Sequence, residues 1–139
     1  MAQQVKDVMT PGAVSCGVRD TAADAARLMK QQAIGDVLVL DDGKLCGMVT
    51  DRDIVVRVIA EGRDPNSALL GDICSSDVVT VRPDDDATHA VRLMTERAVR
   101  RMPIVDGDKI IGIVTMGDLA LERDEHSALA AVSAAPPND

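Results

Sequence analysis

Two copies of one short motif contain the residues of this sequence whose spacing suits chemistry. Each copy has a glycine, two apolar residues, a threonine, two further residues and an aspartate: Gly47, Thr50, Asp53 and Gly112, Thr115, Asp118. A threonine and an acid three residues apart at a helix start form a capping box, which needs no ligand. The same helix start also suits a phosphate, with the carboxylate accepting hydrogen bonds from a ribose diol. In that interpretation the glycine lets a ligand approach the strand backbone. Spacing alone leaves both interpretations open.

The composition excludes several other kinds of site. The 139 residues include no Phe, Tyr or Trp, so no aromatic cage can hold a quaternary ammonium and no ring can stack on a base. The net charge is −8 without a basic run, which argues against nucleic acid as a partner. The two histidines, His89 and His126, have no zinc-ligand spacing and belong to no nucleophile–base set. We therefore predict neither a metal site nor an enzyme.

The cysteines Cys16, Cys46 and Cys74 are odd in number and widely spaced. We expect them to be small buried hydrophobic residues with reduced thiols. Cys16 and Cys46 can pair only if they are adjacent in space, which the sequence leaves open. The N-terminus has no apolar signal core and no apolar run reaches ~18 residues, so we predict a cytoplasmic protein without membrane contact.

Both motif copies belong to a repeat that spans nearly the whole chain. A shift of 65 residues aligns the two parts without a gap, including residues 25–29 with 90–94 and residues 47–53 with 112–118. We predict a first repeat with its N-terminal lead-in and linker at 1–69, a second repeat at 70–124, and a flexible Ala/Pro-rich tail at 125–139.

Each repeat predicts the element order β-α-β-β-α, which places the motif between the last strand and the last helix. A β-branched run at 14–16 or 79–81 comes first, and apolar spacing then predicts helices over Ala22–Gln32 and Ala87–Arg97. Apolar runs on either side of an Asp/Gly turn predict a hairpin in each repeat. The last helix covers 51–60 in the first repeat. Because residues 54–60 are apolar almost all round, we expect the other repeat or another chain to cover their second face.

Two such repeats, each ending in this motif, resemble a tandem pair of cystathionine-β-synthase (CBS) domains, the Bateman module. The resemblance covers about residues 5–122 and is clearest at 5–10, 47–53 and 101–106. Residues 50–54 and 61–66 are similar to small stand-alone bacterial CBS pairs, including stress- or hypoxia-response proteins. The resemblance implies an α/β (α+β) fold with the two repeats packed about a pseudo-two-fold axis. It also implies a non-enzymatic regulatory module that senses AMP, ADP, ATP or S-adenosylmethionine in clefts between the repeats.

The resemblance further implies roles for particular residues. Asp53 and Asp118 would hold ribose hydroxyls, while Thr50 and Thr115 would contact phosphate or ribose. The adenine would lie along backbone of the first strands and of the strands after the first helices: Val14, Ser15, Cys16, Val37, Leu38, Val79, Thr80, Val81, Met102 and Pro103.

The two copies differ where a phosphate would bind. The phosphate-donor candidates are Arg52, Arg100 and Arg101, for which a solvated surface role is the alternative. Leu38 stands where the second repeat has Pro103, and Cys-Ser-Ser at 74–76 aligns with Met-Thr-Pro at 9–11. We therefore expect unequal sites, of which one is tight.

An alternative function is a partner-binding or oligomerisation protein with vestigial nucleotide clefts, supported by the capping-box interpretation and the apolar last helices. We also predict a homodimer formed through helices, and any output of a regulatory module would have to go through an unidentified downstream protein. We predict no cofactor other than an adenosine nucleotide acting as a regulatory ligand.

Overall fold

The computed structural model describes residues 3–123, without the side chains of 121–123. The predicted tail at 125–139 and His126 lie outside these residues. The helices are α1 (Val5–Val8), α2 (Ala22–Gln32), α3 (Asp51–Ile54), a π-helix (Val55–Ile59), α4 (Leu70–Ile73), α5 (Ala87–Arg97) and α6 (Met116–Arg123). The strands are β1 (Thr10–Pro11), β2 (Ser15–Gly17), β3 (Asp36–Asp41), β4 (Lys44–Thr50), β5 (Arg101–Asp106) and β6 (Lys109–Thr115).

The chain forms two compact units, each with a three-stranded sheet and its own core. The first unit consists of residues 14–78 and has the strand order β2-β3-β4. The described part of the second unit consists of residues 3–13 and 79–123 and has the strand order β1-β6-β5. The predicted α/β fold class is thus confirmed, and α2 and α5 have the predicted bounds.

Local sequence explains the elements that frame the motif in the first unit. Thr21 accepts a hydrogen bond from the Asp24 amide at 3.2 Å and so caps α2, which buries Ala22, Ala25 and Met29 against the sheet. β3 and β4 are antiparallel and joined at Asp42-Gly43, where φ is 52° and 82°. Two left-handed residues suit a tight hairpin, and Asp-Gly is a preferred pair for it. The predicted hairpin is therefore confirmed.

Each sequence repeat begins with a lead-in segment, residues 5–11 in the first and 70–75 in the second. Each lead-in packs in the unit that contains the rest of the other repeat. Val5 of α1 is fully buried in the second unit, and β1 pairs with β6 there. Leu70 and Ile73 of α4 are buried in the first unit, where Ser75 bridges Met48 of β4. The compact units therefore do not follow the predicted repeat boundaries at the lead-ins; those boundaries stay a prediction about the repeat itself.

The predicted first strand of the second repeat is reduced to one bridge, between Val81 and Ile104. In the first repeat the Leu38 amide donates to Val14 at 3.1 Å and the Val18 amide donates to Leu40 at 2.9 Å. The residues aligned with Leu38 and Val18 are Pro103 and Pro83, which have no N–H. Both outer bonds of the ladder are therefore lost, and a strand at 79–81 was a wrong prediction.

The predicted helix at 51–60 begins at Asp51 but changes its hydrogen-bond spacing after Ile54. The Ala60 amide donates to the Val55 carbonyl at 2.8 Å, five residues back, which defines the π-helix. Val58 is fully buried, whereas Val55, Val56 and Ile59 are 58%, 46% and 56% exposed. The expected cover over the second face is absent from the described chain.

Candidate functional site

The first half-site is the end of the sheet where β4 passes into α3. The Thr50 amide donates to Asp53 Oδ2 at 2.9 Å, and the Asp53 amide donates to Thr50 Oγ1 at 3.0 Å. Asp36 lies directly opposite Thr50 on β3, and the Asp51 amide donates to the Gly35 carbonyl at 2.9 Å. Asp36, Asp51 and Asp53 therefore carry three carboxylates around this helix start.

The second half-site repeats this geometry where β6 passes into α6. The Thr115 amide donates to Asp118 Oδ2 at 2.9 Å, and the Asp118 amide donates to Thr115 Oγ1 at 3.0 Å. Arg101 lies opposite Thr115 on β5, and the Met116 amide donates to the Arg100 carbonyl at 2.8 Å. The capping-box interpretation of the motif is therefore confirmed in both copies, and beside the second copy Arg100 and Arg101 stand where the first has Gly35 and Asp36.

The motif glycines do not hold open a path for a ligand, so that part of the sequence interpretation was wrong. A Cβ on Gly112 would lie 2.6 Å from the Thr10 carbonyl oxygen and 2.9 Å from Met9 Sδ. A Cβ on Gly47 would lie 2.5 Å from the Ser75 carbonyl oxygen and 2.8 Å from Cys74 Sγ. The lead-in segments occupy the space that the missing side chains leave, so both glycines are required by close backbone packing.

The residues predicted to line the adenine divide cleanly between the two units. Val14, Ser15, Cys16 and Val37 lie in the first unit, and Val79, Thr80, Val81, Met102 and Pro103 lie in the second. The side chains of Cys16, Val37, Val81, Met102 and Pro103 are buried. These residues can therefore offer a ligand only main-chain groups.

One main-chain group differs between the copies. The Val14 carbonyl accepts a hydrogen bond from the Leu38 amide at 3.1 Å. At the aligned position Pro103 has no N–H, so the corresponding bond to Val79 cannot form. The Val79 carbonyl therefore keeps an acceptor position that the Val14 carbonyl has already used.

The predicted phosphate donors differ in exposure, since Arg52 and Arg100 are exposed and Arg101 is half-buried. The sequence interpretation missed Arg57. Its guanidinium donates to the Ile73 carbonyl at 2.7 Å and lies 3.8 Å from Asp53 Oδ1. The spacing of four residues between Asp53 and Arg57 on a helix is the signal that could have identified this pair. Position 122, which aligns with Arg57, holds a glutamate.

The described residues also bear on metal binding, cysteine pairing and membrane contact. Within residues 3–123 no three His, Cys, Asp or Glu side chains cluster in a way that could hold a metal ion. All three cysteines are free thiols, and the thiol next to Cys46 is that of Cys74. No helix in this part of the chain is long and apolar enough to cross a membrane.

Comparison with known proteins also finds two repeats in this chain. The model of the CBS domain family matches residues 5–60 and 70–125. The CBS domain-containing protein YhcV of Bacillus subtilis is 40% identical over 119 residues, which cover 86% of this chain and 84% of YhcV. Hypoxic response protein 1 of Mycobacterium tuberculosis is 35% identical over 130 residues, which cover 93% of this chain and 91% of that protein.

Solved structures also share the fold. A crystal structure of Hypoxic Response Protein I with two coordinated zinc ions has a TM-score of 0.79 and 33% identity, covering 86% of this chain and 98% of that one. The CBS domain pair of MJ0100, in complex with 5-methylthioadenosine and S-adenosylmethionine, has a TM-score of 0.78. Its identity is 23%, with coverage of 91% of this chain and all of that one, so this likeness concerns the fold alone. With two copies of the domain matched along most of its length, the chain belongs to the CBS domain family as a tandem pair.

Proposed function

We propose that this CBS pair is a non-enzymatic regulatory module that binds an adenosine-containing ligand, AMP, ADP, ATP or S-adenosylmethionine, and binds it most tightly at the second half-site. CBS pairs are regulatory modules, and the fold is one that holds S-adenosylmethionine in the pair of MJ0100. The observation that carries the proposal is the second half-site itself. There a ribose-type acceptor, Asp118, stands at a helix start beside Arg100 and Arg101.

The capping hydrogen bond does not use up the aspartate. Asp118 accepts the Thr115 amide with Oδ2, and Oδ1 has no hydrogen-bond partner within the described residues. A carboxylate that is fixed by one oxygen presents the other in a defined position, which suits a ribose hydroxyl. Capping and ligand binding are therefore compatible roles of one side chain.

Charge favours the second half-site for a phosphate. Around the first helix start there are three aspartates and one arginine, and around the second there are one aspartate and two arginines. The aligned positions are Gly35, Asp36, Asp51, Arg52 and Asp53 in the first, and Arg100, Arg101, Met116, Gly117 and Asp118 in the second. The formal charges are therefore −2 and +1. An anionic group is attracted to the second set and repelled by the first.

Two further differences act in the same direction. Arg57 lies 3.8 Å from Asp53 Oδ1, so a ribose hydroxyl at the first half-site must compete with this cation. The aligned position 122 holds a glutamate, so the sequence gives Asp118 no such cation there. The Val79 carbonyl lacks the bond that the Val14 carbonyl receives, and it can accept from the exocyclic amine of adenine. Both features favour a nucleoside at the second half-site.

Calorimetric titration of AMP, ADP, ATP and S-adenosylmethionine into the protein and two matched variants tests this proposal. Asp118→Asn keeps an oxygen for the capping bond but replaces the outer acceptor. Because a hydrogen bond to a charged group contributes ~1.5–3 kcal/mol, it should raise the Kd of the tightest ligand by about 10- to 100-fold. Asp53→Asn, the same change in the other copy, should leave that Kd within about twofold. Two equivalent sites would contradict the inequality, and no heat with any of the four ligands would contradict the proposal.

The absence of aromatic residues gives a direct way to identify the ligand. With no Phe, Tyr or Trp, the protein itself absorbs little at 260 nm. A clear 260 nm band in the purified protein would report bound adenine, and mass spectrometry of the released molecule would name it.

A partner-binding or oligomerisation protein with vestigial half-sites is the second candidate. Complete capping boxes explain the motif without a ligand, and Val55, Val56 and Ile59 expose an apolar surface. Under this alternative none of the four ligands produces heat, and the protein still self-associates.

A further inference from the structure

Two of the three cysteines meet at the place where a lead-in segment crosses the sheet of the first unit. Cys74 follows α4, and Cys46 lies on β4, where the pairing register with β3 shifts by one residue. Both thiols are half-buried, whereas Cys16 is buried on β2. Within residues 14–78, Cys46 and Cys74 are therefore the thiols that a small molecule can reach.

The contact between them is fixed by backbone pairing. Met48 and Ser75 exchange two amide–carbonyl hydrogen bonds of 2.9 Å, which hold the segment after α4 against β4. Cys74 Sγ consequently lies over Gly47, 2.8 Å from the position of an added Cβ. Cys46 is the residue next to Gly47, so it belongs to the same stretch of β4 that Cys74 covers. Burial, together with the neighbouring Cys46, raises the pKa of the Cys74 thiol.

Packing alone does not require thiols at these positions. In the second unit the aligned residues are Met9 and Ile111, and Met9 Sδ lies over Gly112 as Cys74 Sγ lies over Gly47. An apolar pair thus fills the same site in the other copy. The pair of thiols is a feature of the first copy only.

We propose that Cys46 and Cys74 are an oxidation site, at which a small-molecule disulfide of the glutathione type converts the two thiols into an intramolecular disulfide. The thiolate of Cys46 attacks one sulfur of the small disulfide, forms a mixed disulfide and releases one small thiol. The sulfur of Cys74 then attacks the mixed disulfide at Cys46, forms the Cys46–Cys74 bond and releases the second small thiol. The two cysteines are oxidised, the small disulfide is reduced, and the two cysteine protons leave on the released thiols.

The product would tie the lead-in at 70–75 covalently to β4. The closed loop contains Thr50, Asp53 and Arg57, so the first half-site lies within the cross-linked segment. The first step falls to Cys46 because a raised pKa disfavours the thiolate of Cys74.

Peptide mapping of the full chain after incubation with oxidised glutathione tests this proposal. Free thiols are alkylated in denaturant after an acid quench. The reduced protein should show three alkylated cysteines, and the oxidised protein should show one, at Cys16, with a linked peptide pair containing Cys46 and Cys74. Cys16→Ala is the matched control and should form the same linked pair. Cys74→Ser should stop at glutathione attached to Cys46.

Full oxidation of dithiothreitol in a parallel tube is the positive control for the incubation. If all three cysteines of the protein are still alkylated after that incubation, the proposal is overturned. A disulfide that maps to Cys16, or one that forms only between two chains, would also overturn it. The primary result is read on the unmutated protein, so the proposal does not depend on the folding of any variant.

Discussion

At the scale of single residues, the glycine, threonine and aspartate of the motif have separate physical roles. Gly112 lets the backbone of β1 lie against β6, while Thr115 and Asp118 close the first turn of α6. The glycine therefore serves the lead-in and the other two serve the helix. A ligand role rests on the second oxygen of Asp118.

Replacement of Gly112 by alanine should destabilise the protein. The new Cβ would lie 2.6 Å from a backbone oxygen of Thr10, so β1 must move away from β6. Overpacking of this kind costs about 1–3 kcal/mol of unfolding free energy, which urea denaturation measures. Gly17→Ala is the control, because its Cβ would meet its nearest atom at an ordinary 3.8 Å and should cost much less. Equal stability of the two variants would contradict the packing role.

Local spacing made Thr50–Asp53 and Thr115–Asp118 predictable, because a capping box depends on residues only three apart. The partner of Gly112 was not predictable in the same way, because Thr10 lies 102 positions earlier and no local pattern connects them. The same holds for Cys46 and Cys74. They lie close together because Ser75 pairs with Met48 of β4. From the sequence alone we considered a pair of Cys16 and Cys46 instead.

At the scale of elements, two prolines account for the main difference between the sheets. Pro83 and Pro103 remove the donors that would extend pairing on either side of Val81. The helices and hairpins could be predicted because apolar periodicity and Asp-Gly turns act locally. The lost strand was also readable in principle, since both prolines are visible in the alignment of the two repeats. The π-helical hydrogen bonds after Ile54 have no comparable signal.

Pro103→Ala should restore a ladder bond in the second repeat. The new amide at 103 would face the Val79 carbonyl, as the Leu38 amide faces the Val14 carbonyl in the first repeat. We expect the amide at 103 to exchange with solvent about as slowly as that of Leu38, which serves as an internal control in the same hydrogen-exchange experiment. Rapid exchange at 103 beside a protected Leu38 would show that something other than the missing N–H shortens the strand.

At the scale of the whole molecule, an exposed apolar surface accompanies a strongly acidic chain. The net charge of −8 opposes association, so a surface that brings two copies together must gain from apolar burial. Val55, Val56 and Ile59 provide such a surface on the π-helix. The periodicity of residues 54–60 predicted a helix that needs cover, and within the described residues these three side chains stay exposed.

We predict a homodimer that depends on this surface. Light scattering at micromolar concentration should give twice the mass of 14.7 kDa. Ile59→Asp should shift the protein towards the monomer, because a buried unpaired carboxylate is costly at an interface. Gln32→Asp, at an exposed position on α2, is the control and should leave the dimer intact. A monomeric mass for the unmutated protein would contradict the prediction.

The exchange of lead-in segments has a consequence for the order in which the chain folds during translation. Residues 14–78 are contiguous, so the first unit is complete as soon as residue 78 has left the ribosome. The second unit needs residues 3–13 as well as 79–123, so α1 and β1 must wait for β6 to be synthesised. Residues 3–13 emerge before either core and are nevertheless the last to find their place, and Val5 stays exposed to chaperones and proteases until then.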